Sequence, residues 1–283
     1  MTIDIKQCKK AFTHAGAFHA DDVFSSALLL LLNPEITIER GFVVPEVYDG
    51  IVFDIGGGCF DHHQENRRVR SNGITYAAFG LLWETYGTLI LDSEEAEKFD
   101  ENFIQPLDHS DNTGEQNELA RVISDFNATW KHPNSNSDDD FYRAVNFAKN
   151  LLTNRFEQIK ASKEAFDIVK KQMQKATGHV LVLDKPVPWK KAVIGSQFYY
   201  VIYQSKRGGY NIQAVPEEEG SLNLVKPFPT EWRGQSEESL YKLTGVLGFQ
   251  FCHMSGFLCV TNTLEEARRI AELALIGEQN CKN

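Results

Sequence analysis

The chain has 283 residues, 42% of them hydrophobic, and a formal net charge of −10. This length is enough for two domains with separate cores. The acidic excess lies in residues 1–177, which carry 18 Lys+Arg against 28 Asp+Glu, whereas residues 178–283 carry 11 of each. An acidic surface argues against a non-specific grip on long duplex DNA, although bound divalent metals would reverse the sign locally. Small or single-stranded phosphate substrates stay open.

Several classes of protein are excluded by what the sequence lacks. The five cysteines form no CxxC pair, so neither a disulfide framework nor a thiolate zinc site is indicated. No apolar stretch has the length of a membrane span, and the opening MTIDIKQCKKAF lacks the apolar core of a signal peptide. We therefore expect a soluble, cytoplasmic protein with no membrane partner.

The first hundred residues alternate β-type and helix-type runs, which is typical of a parallel sheet with crossover helices. The β-type runs are Lys10–Thr13, Ile36–Glu39 and Ile51–Asp54, and the helix-type runs are Asp21–Leu32, Thr75–Tyr86 and Asp92–Leu107. The pattern predicts an α/β domain.

The second part of the chain begins after a long helix. Residues 131–140 are polar and acidic and lead into a helical pattern over Phe141–Lys175. The β-rich runs that follow are Val180–Leu183, Phe198–Gln204 and Tyr210–Val215, and a capping box over Thr263–Glu266 precedes a helix predicted to stop near Gly277. We predict one domain over residues 1–177, including a linking helix, and a smaller α+β domain over residues 178–283.

Histidines and aspartates gather in three segments that follow predicted strands: THAGAFHADD, IVFDIGGG and DHHQ. Since the carboxyl ends of parallel strands meet at one edge of a sheet, these side chains should converge there. Four of the eight histidines lie between residues 14 and 63, so a shared site explains the pattern better than separate structural roles. The candidates are His14, His19, Asp21, Asp54, Asp61, His62 and His63.

This set of ligand types predicts a metal site. Imidazoles and carboxylates without cysteine suit Mn²⁺, Zn²⁺ or Fe²⁺ better than an all-oxygen Mg²⁺ or Ca²⁺ cage, and we favour Mn²⁺. The candidates exceed the needs of one ion, so we expect two, with Asp54 as a bridging, catalytic carboxylate. Asp61, His62 and His63 are adjacent and cannot all point the same way. One should be a ligand, one an orienting partner and one a contact to substrate.

A fourth acidic segment, PLDHSDNTG, follows the third predicted helix. Asp108 and Asp111 are three residues apart, so both can face one side of a helix end, and either would complete the shell of the second metal. The alternative is a helix terminus closed by an Asn-Thr-Gly turn.

Taken in order, these segments resemble the DHH phosphoesterase superfamily, which is named after a motif like Asp61-His62-His63 and includes exonucleases, cyclic-dinucleotide phosphodiesterases and inorganic pyrophosphatases. The resemblance is closer to the melanocyte-proliferating-gene-one family, often labelled "metal-dependent protein hydrolase". The resemblance to this family extends to the segments NGITYAAFGLLW, LDHSDN, PWK, PFPTEWRG and CHMSGF. The superfamily opening is His-x3-Asp-x-Asp, whereas here it reads His14-x4-His19-x-Asp21, which exchanges a carboxylate for an imidazole and affects the choice of metal.

The resemblance implies roles for individual residues. The implied metal ligands are His14, His19, Asp21, Asp54, His62 and one of Asp108 or Asp111, and His63 would contact the phosphate. The second domain would bind substrate through Lys226, Arg233, His253 and Gly256. Arg70 and Asn72, just after DHHQ, are further candidates for phosphate contact. For each of these charged residues the alternative is a solvated or hydrogen-bonded structural role.

The metal-ligand pattern predicts a two-metal phosphoesterase. The resemblance implies a phosphodiesterase of exoribonuclease type that acts on short single-stranded RNA or oligonucleotides. The alternatives are a small-molecule phosphoesterase acting on pyrophosphate or a dinucleotide, and a non-catalytic metal- or nucleotide-binding regulator. Peptide hydrolysis ranks lower because no HExxH is present. The sequence also contains no P-loop, GxSxG or GxGxxG motif. It leaves the natural substrate, the resting metal and a homodimeric state open.

Overall fold

The computed structural model of the chain describes residues 3–131 and 137–276. The chain divides into two compact units, Met1–Lys160 and Ala161–Asn283. None of the described helices combines the length and the apolar character that a membrane crossing requires.

The first unit is built around a three-stranded parallel sheet. Its strands are β1 (Lys10–His14), β2 (Thr37–Gly41) and β3 (Ile51–Val52), in the order β2-β1-β3. Both pairings of β1 are parallel, so the predicted parallel sheet is confirmed. The central strand β1 leads directly into helix α1 (Ala20–Leu32), whose buried face includes Val23, Phe24 and Leu28. The turn between β1 and α1 therefore lies at the carboxyl edge of the sheet.

The remaining helices of this unit pack on the same core. They are α2 (Ala78–Tyr86), a 3₁₀ turn (Gly87–Leu89), α3 (Ser93–Phe99), α4 (Gln105–Thr113) and α5 (Glu118–Ser124). A π-helical turn, Asp100–Ile104, joins α3 to α4. The helix predicted over Asp92–Leu107 thus continues to Thr113, where Gly114 closes it in the left-handed region at φ 75°. The residues after Leu107 are weak helix formers, so the sequence indicated that the helix ends there. In the structure they form the C-terminal part of α4.

One helix, α6 (Ser137–Met173), contributes to both cores. Its first turns bury Phe141, Val145 and Leu152 in the first core, and Val169 near its end is buried in the second unit. The division of the chain accordingly falls within α6, earlier than the predicted boundary near residue 178. Of the polar segment 131–140 that leads into this helix, residues 132–136 lie outside the described residues.

The second unit contains a five-stranded mixed sheet. Its strands are β4 (Val180–Val182), β5 (Tyr200–Gln204), β6 (Tyr210–Ala214), β7 (Phe249–Cys252) and β8 (Leu258–Thr261), in the order β4-β5-β6-β8-β7. The pair β4 and β5 is parallel and the others are antiparallel. Its helices are α7 (Lys190–Val193), α8 (Glu237–Thr244) and α9 (Leu264–Ile276), with a 3₁₀ turn at Thr230–Trp232. The predicted helix end at Gly277 lies outside the described residues.

Candidate metal centre

The sheet brings the ends of two neighbouring strands together. His14 is the last residue of β1, and Asp54 follows β3, whose Val52 pairs with Phe12 of β1. As a result His14 Nε2 lies 3.3 Å from Asp54 Oδ2. This contact links the first two of the predicted segments.

Asp54 occupies a strained position in the middle of the cluster. Its φ of 57° makes it the one non-glycine residue with positive φ in the described part of the chain, a conformation that costs energy and persists where surrounding contacts hold it. Its amide donates to Phe60 O at 3.0 Å. While Oδ2 faces His14, Oδ1 lies 3.2 Å from His62 Nε2. One carboxylate therefore faces two imidazoles, as a bridging ligand would.

His62 is held by Asn112, a residue that the sequence reasoning did not single out. The side-chain nitrogen of Asn112 donates to Asp108 O at 2.8 Å and to Tyr76 O at 3.2 Å, which orients its amide. Asn112 Oδ1 then lies 3.2 Å from His62 Nδ1 and accepts its proton. The lone pair is left on Nε2, the atom that faces the carboxylates.

Two carboxylates besides Asp54 face His62 Nε2, Asp111 Oδ2 at 3.3 Å and Asp21 Oδ2 at 3.8 Å. Asp21 also accepts from the amides of Ala78 and Phe79, at 2.9 and 2.7 Å. It thereby caps α2, which has no cap from its own side chain at that end. This double role fixes Asp21 in the cluster.

Asp22, which the sequence analysis did not include among the candidate ligands, belongs to the cluster. It is fully buried. Its Oδ1 accepts from the amide of His19 at 2.8 Å, and its Oδ2 lies 3.4 Å from His14 Nε2. The two adjacent aspartates of HADD were the sequence feature that could have indicated this role of Asp22. His19 itself is exposed, with its ring centroid 5.9 Å from that of His14.

The structure separates the two aspartates of α4. Asp111 faces His62, whereas Asp108 Oδ2 lies 2.8 Å from the guanidinium of Arg70. Arg70 is buried, and Asp100 accepts two further hydrogen bonds from it at 2.9 and 2.6 Å. Instead of opening to a substrate, Arg70 lies in an internal ion-pair network. Asn72, its predicted companion, donates to the side chain of Gln105.

The three adjacent residues Asp61, His62 and His63 point in different directions. Asp61 Oδ1 lies 2.9 Å from His63 Nδ1 and also accepts from the His63 amide at 3.0 Å. Gly57 donates to the other oxygen of Asp61 at 2.7 Å. The side chain of His63 is 60% exposed. Asp61 therefore orients His63 toward solvent, while His62 faces the buried carboxylates.

Two clefts open on this cluster, with volumes of about 430 and 380 Å³. Both are lined by His19, His63 and Asp111. Arg67 lines the smaller one and is exposed. Arg67 is the arginine of this segment that lines the cleft, and the sequence did not distinguish it from the nearby Arg68 and Arg70.

The electrostatics couple the histidines to the carboxylates. The hydrogen bond to Asp54 raises the pKa of His14 to about 9. Burial alone would lower the pKa of His62, but Asp54 raises it above the usual value. Although burial raises the pKa of Asp54, the two histidines hold it down at about 2. Burial raises the pKa of Asp22 to about 7, so Asp22 lacks enough positive charge nearby.

The ligand atoms form three groups that could each hold an ion. Their members are His14, Asp22 and Asp54; Asp54, His62 and His63; and Asp21, His62 and Asp111. Among the residues that the structure describes, Asp54 Oδ1, His62 Nε2 and Asp22 Oδ2 are buried with no hydrogen-bond partner. Buried polar atoms normally have partners, and a cation would satisfy all three. The residues therefore fit one or two divalent ions.

In the second unit, three of the four predicted substrate residues lie together. Arg233 Nε and Nη2 donate to Phe228 O at 2.9 and 2.7 Å. A Cβ on Gly256 would lie 2.6 Å from Arg233 Nε, so glycine is needed there. The amide of Gly256 donates to His253 O, and His253 Nδ1 lies 2.9 Å from Ser255 Oγ. Lys226 is half-buried in the preceding segment.

Comparison with known proteins gives relatives that match along most of the chain. A human protein named "MYG1 exonuclease" is 29% identical over 93% of this chain and 85% of its own length. A MYG1 protein of Schizosaccharomyces pombe is 28% identical over 96% of this chain and 98% of its own length. One of Chlamydia trachomatis is also 28% identical, over 93% and 95%. No solved structure matches the chain.

The family model MYG1_exonuc, described as "Uncharacterised protein family (UPF0160)", matches residues 10–275. This range includes β1, every residue of the histidine and aspartate cluster, and nearly all of α9. The chain therefore belongs to the MYG1 family, as its motifs predicted.

Proposed function

We propose that the chain is a two-metal-dependent phosphodiesterase of nuclease type, which cleaves short single-stranded RNA or oligonucleotides. The main support is the position of Asp54, whose two oxygens face two different histidines at 3.3 and 3.2 Å. A carboxylate in this position could offer one oxygen to each of two ions. The word exonuclease in the names of the human, rat and mouse relatives supports a nucleic-acid substrate.

The proposed ligands divide between two positions. His14, Asp22 and Asp54 would hold one ion, and His62, Asp21, Asp111 and Asp54 the other, with His19 near the first. We favour Mn²⁺, since the ligands mix imidazole with carboxylate. When bound, the ions would supply Lewis acidity to activate water and neutralise charge on the phosphate.

The chain's own residues would orient the substrate. Asp61 Oδ1 lies 2.9 Å from Nδ1 of His63, which leaves the outer nitrogen of that ring for a substrate in the cleft that His63 lines. Arg67 lines the adjoining cleft and adds a cation for a phosphate oxygen. We assign phosphate contact to His63 and Arg67, and we place the chain in the DHH phosphoesterase superfamily on the order of its motifs.

The direct test is cleavage of an end-labelled oligoribonucleotide by the metal-depleted chain before and after Mn²⁺ is added. Asp54→Asn keeps the size of the side chain but removes the bridging charge, so cleavage should fall by about a hundredfold or more. Asp49→Asn, at an exposed position before β3, is the matched control and should cleave normally.

Full cleavage by Asp54→Asn would contradict the proposal, as would cleavage that persists in a chelator. Because the two clefts measure only about 380 and 430 Å³, a small phosphate ester is the second candidate. Release of phosphate from pyrophosphate, or of mononucleotides from a dinucleotide, with no shortening of longer strands would favour it.

A further inference from the structure

The sheet of the second unit has one covered face and one that is only partly covered. Along β5, β6 and β8, Ile202, Ile212 and Cys259 point to the core that includes Ala267 and Ile270 of α9. Residues that alternate with them point the other way. There, Val201 is covered by Val169 of α6 and by the segment around Trp189. Over β6, β8 and β7 this second face is less covered, since Asn211 and Val260 are half-buried and Phe251 is exposed.

This less covered face forms the floor of a groove of about 980 Å³. Asn211, Phe251, Leu258 and Val260 line it from the sheet. Phe251 is 41% exposed, which is unusual for a phenylalanine in a strand. The walls are the segment from Pro186 to Ala192 and the turn between β5 and β6. All lining residues belong to the second unit.

The walls carry positive charge. Four exposed cations line the groove, Lys190, Lys191, Lys206 and Arg207. Within the described part of the chain, none of the four forms an ion pair. Glu219 is the one carboxylate among the lining residues. In a chain with a net charge of −10, such a concentration of unpaired cations favours an anionic ligand.

We propose that this groove binds a stretch of single-stranded nucleic acid, with the cations on the phosphates and a base stacked on Phe251. An apolar floor with one exposed aromatic ring, bordered by cations, is the combination that single strands require. Gln204 and Asn211 also line the groove and offer amides to base edges. A duplex hides its base faces and could not use the floor. The inference rests on the proposed function, because it names where the substrate strand is held.

The test is fluorescence anisotropy of a labelled oligouridylate with the full-length chain in a chelator, so that no cleavage occurs. Lys206→Glu/Arg207→Glu should weaken binding by about tenfold or more and lower the salt dependence by about 0.7 per lost phosphate contact. Phe251→Ala should weaken binding by about five- to a hundredfold at all salt concentrations, since stacking carries no charge.

The matched control for the charge reversal is Arg268→Glu/Arg269→Glu. These two arginines are adjacent and exposed on α9, which packs on the other face of the sheet. The control should bind the strand like the unaltered chain. Circular dichroism of each variant shows whether it is folded, and Phe251→Leu keeps the apolar bulk should Phe251→Ala unfold.

Strand binding unchanged in the folded groove variants would overturn the inference, even where Mn²⁺-dependent cleavage persists. Loss of binding in these variants, in a chain that never cleaves oligonucleotides, would support the groove and overturn the proposed activity alone. Should the variants change the sedimentation of the chain rather than its affinity for the strand, the face would belong to a second copy and the inference would be wrong.

Discussion

The two units use charge in opposite ways. Around Asp54 in the first unit, carboxylates and imidazoles are withdrawn from solvent and face one another within 3.2 to 3.8 Å. In the groove of the second unit, cations are exposed beside an apolar floor and form no ion pair in the described part of the chain. Several carboxylates buried close together are costly and indicate a cation to be bound, whereas exposed cations cost little and suit a polyanion. This difference matches the roles proposed for the two regions, metal binding in the first unit and strand binding in the second.

The largest effect on cleavage is expected from a change at His62, in the buried cluster of the first unit. His62→Gln removes the nitrogen that faces three carboxylates, so Mn²⁺-dependent cleavage should fall by about a hundredfold or more. His109→Gln is the matched control, since His109 pairs with Glu115 on the surface of α4. Equal activity in the two variants, measured on one labelled oligonucleotide, would remove His62 from the site.

A second large effect concerns the ion pair beneath the cluster. A Cβ on Gly80 would lie 2.0 Å from Asp108 Oδ2 and 2.6 Å from Arg70 Nη2. Gly80→Ala should therefore displace a buried pair and lower the free energy of unfolding by about 2–4 kcal/mol. At Gly58 a Cβ meets nothing within 4 Å, and Gly58→Ala should change stability little. Urea denaturation measures the stability of both variants. Equal midpoints would show that Arg70 and Asp108 can move aside without loss of stability.

Asn112→Ala should weaken the binding of Mn²⁺ by about ten- to a hundredfold, because it leaves the His62 ring without the acceptor that sets its tautomer. Calorimetric titration with Mn²⁺ measures this. Asn102→Ala, at an exposed amide that donates to Lys98 O, is the control. An unchanged affinity in Asn112→Ala would mean that His62 is held by its carboxylates alone.

The pKa of His14, raised to about 9 by Asp54, predicts that metal binding displaces a proton. Below pH 9 the affinity for Mn²⁺ should rise by about tenfold per pH unit, because Mn²⁺ must displace the proton on His14. In the metal-free chain, the stability that this pair contributes is fully present below pH 6.5 and is lost as pH rises through 9. Titrations in buffers of different ionisation enthalpy count the protons released, and a count of zero would contradict the assignment.

The smallest effect should come from the groove. Glu219→Gln removes its one lining carboxylate and should tighten binding of a labelled oligonucleotide by about two- to threefold, since exposed charges are screened. Glu231→Gln, exposed elsewhere in the unit, should have no effect. Weaker binding by Glu219→Gln would indicate that the carboxylate contacts the strand directly.

Hydrophobic periodicity was sufficient to predict the parallel sheet and the alternation of strands and helices along the chain, because short apolar runs that alternate with helical patterns are typical of strands joined by crossover helices. The turn glycines and strand ends also indicated that His14, Asp54 and His62 would meet. The extent of α4 was not predictable, since the residues after Leu107 are poor helix formers that long-range contacts hold in place.

The sequence by itself determined which residue types would gather at the sheet edge and the family to which the chain belongs. Tertiary structure decided how those residues divide their roles. Asp108 and Asp111 are equivalent by spacing, but Arg70 reaches one and His62 the other. Asp22 accepts from the amide of His19 at the start of α1 with one oxygen, and its other oxygen faces His14 in the cluster. Local patterns specify which face a side chain occupies, whereas its partner comes from a segment distant in sequence.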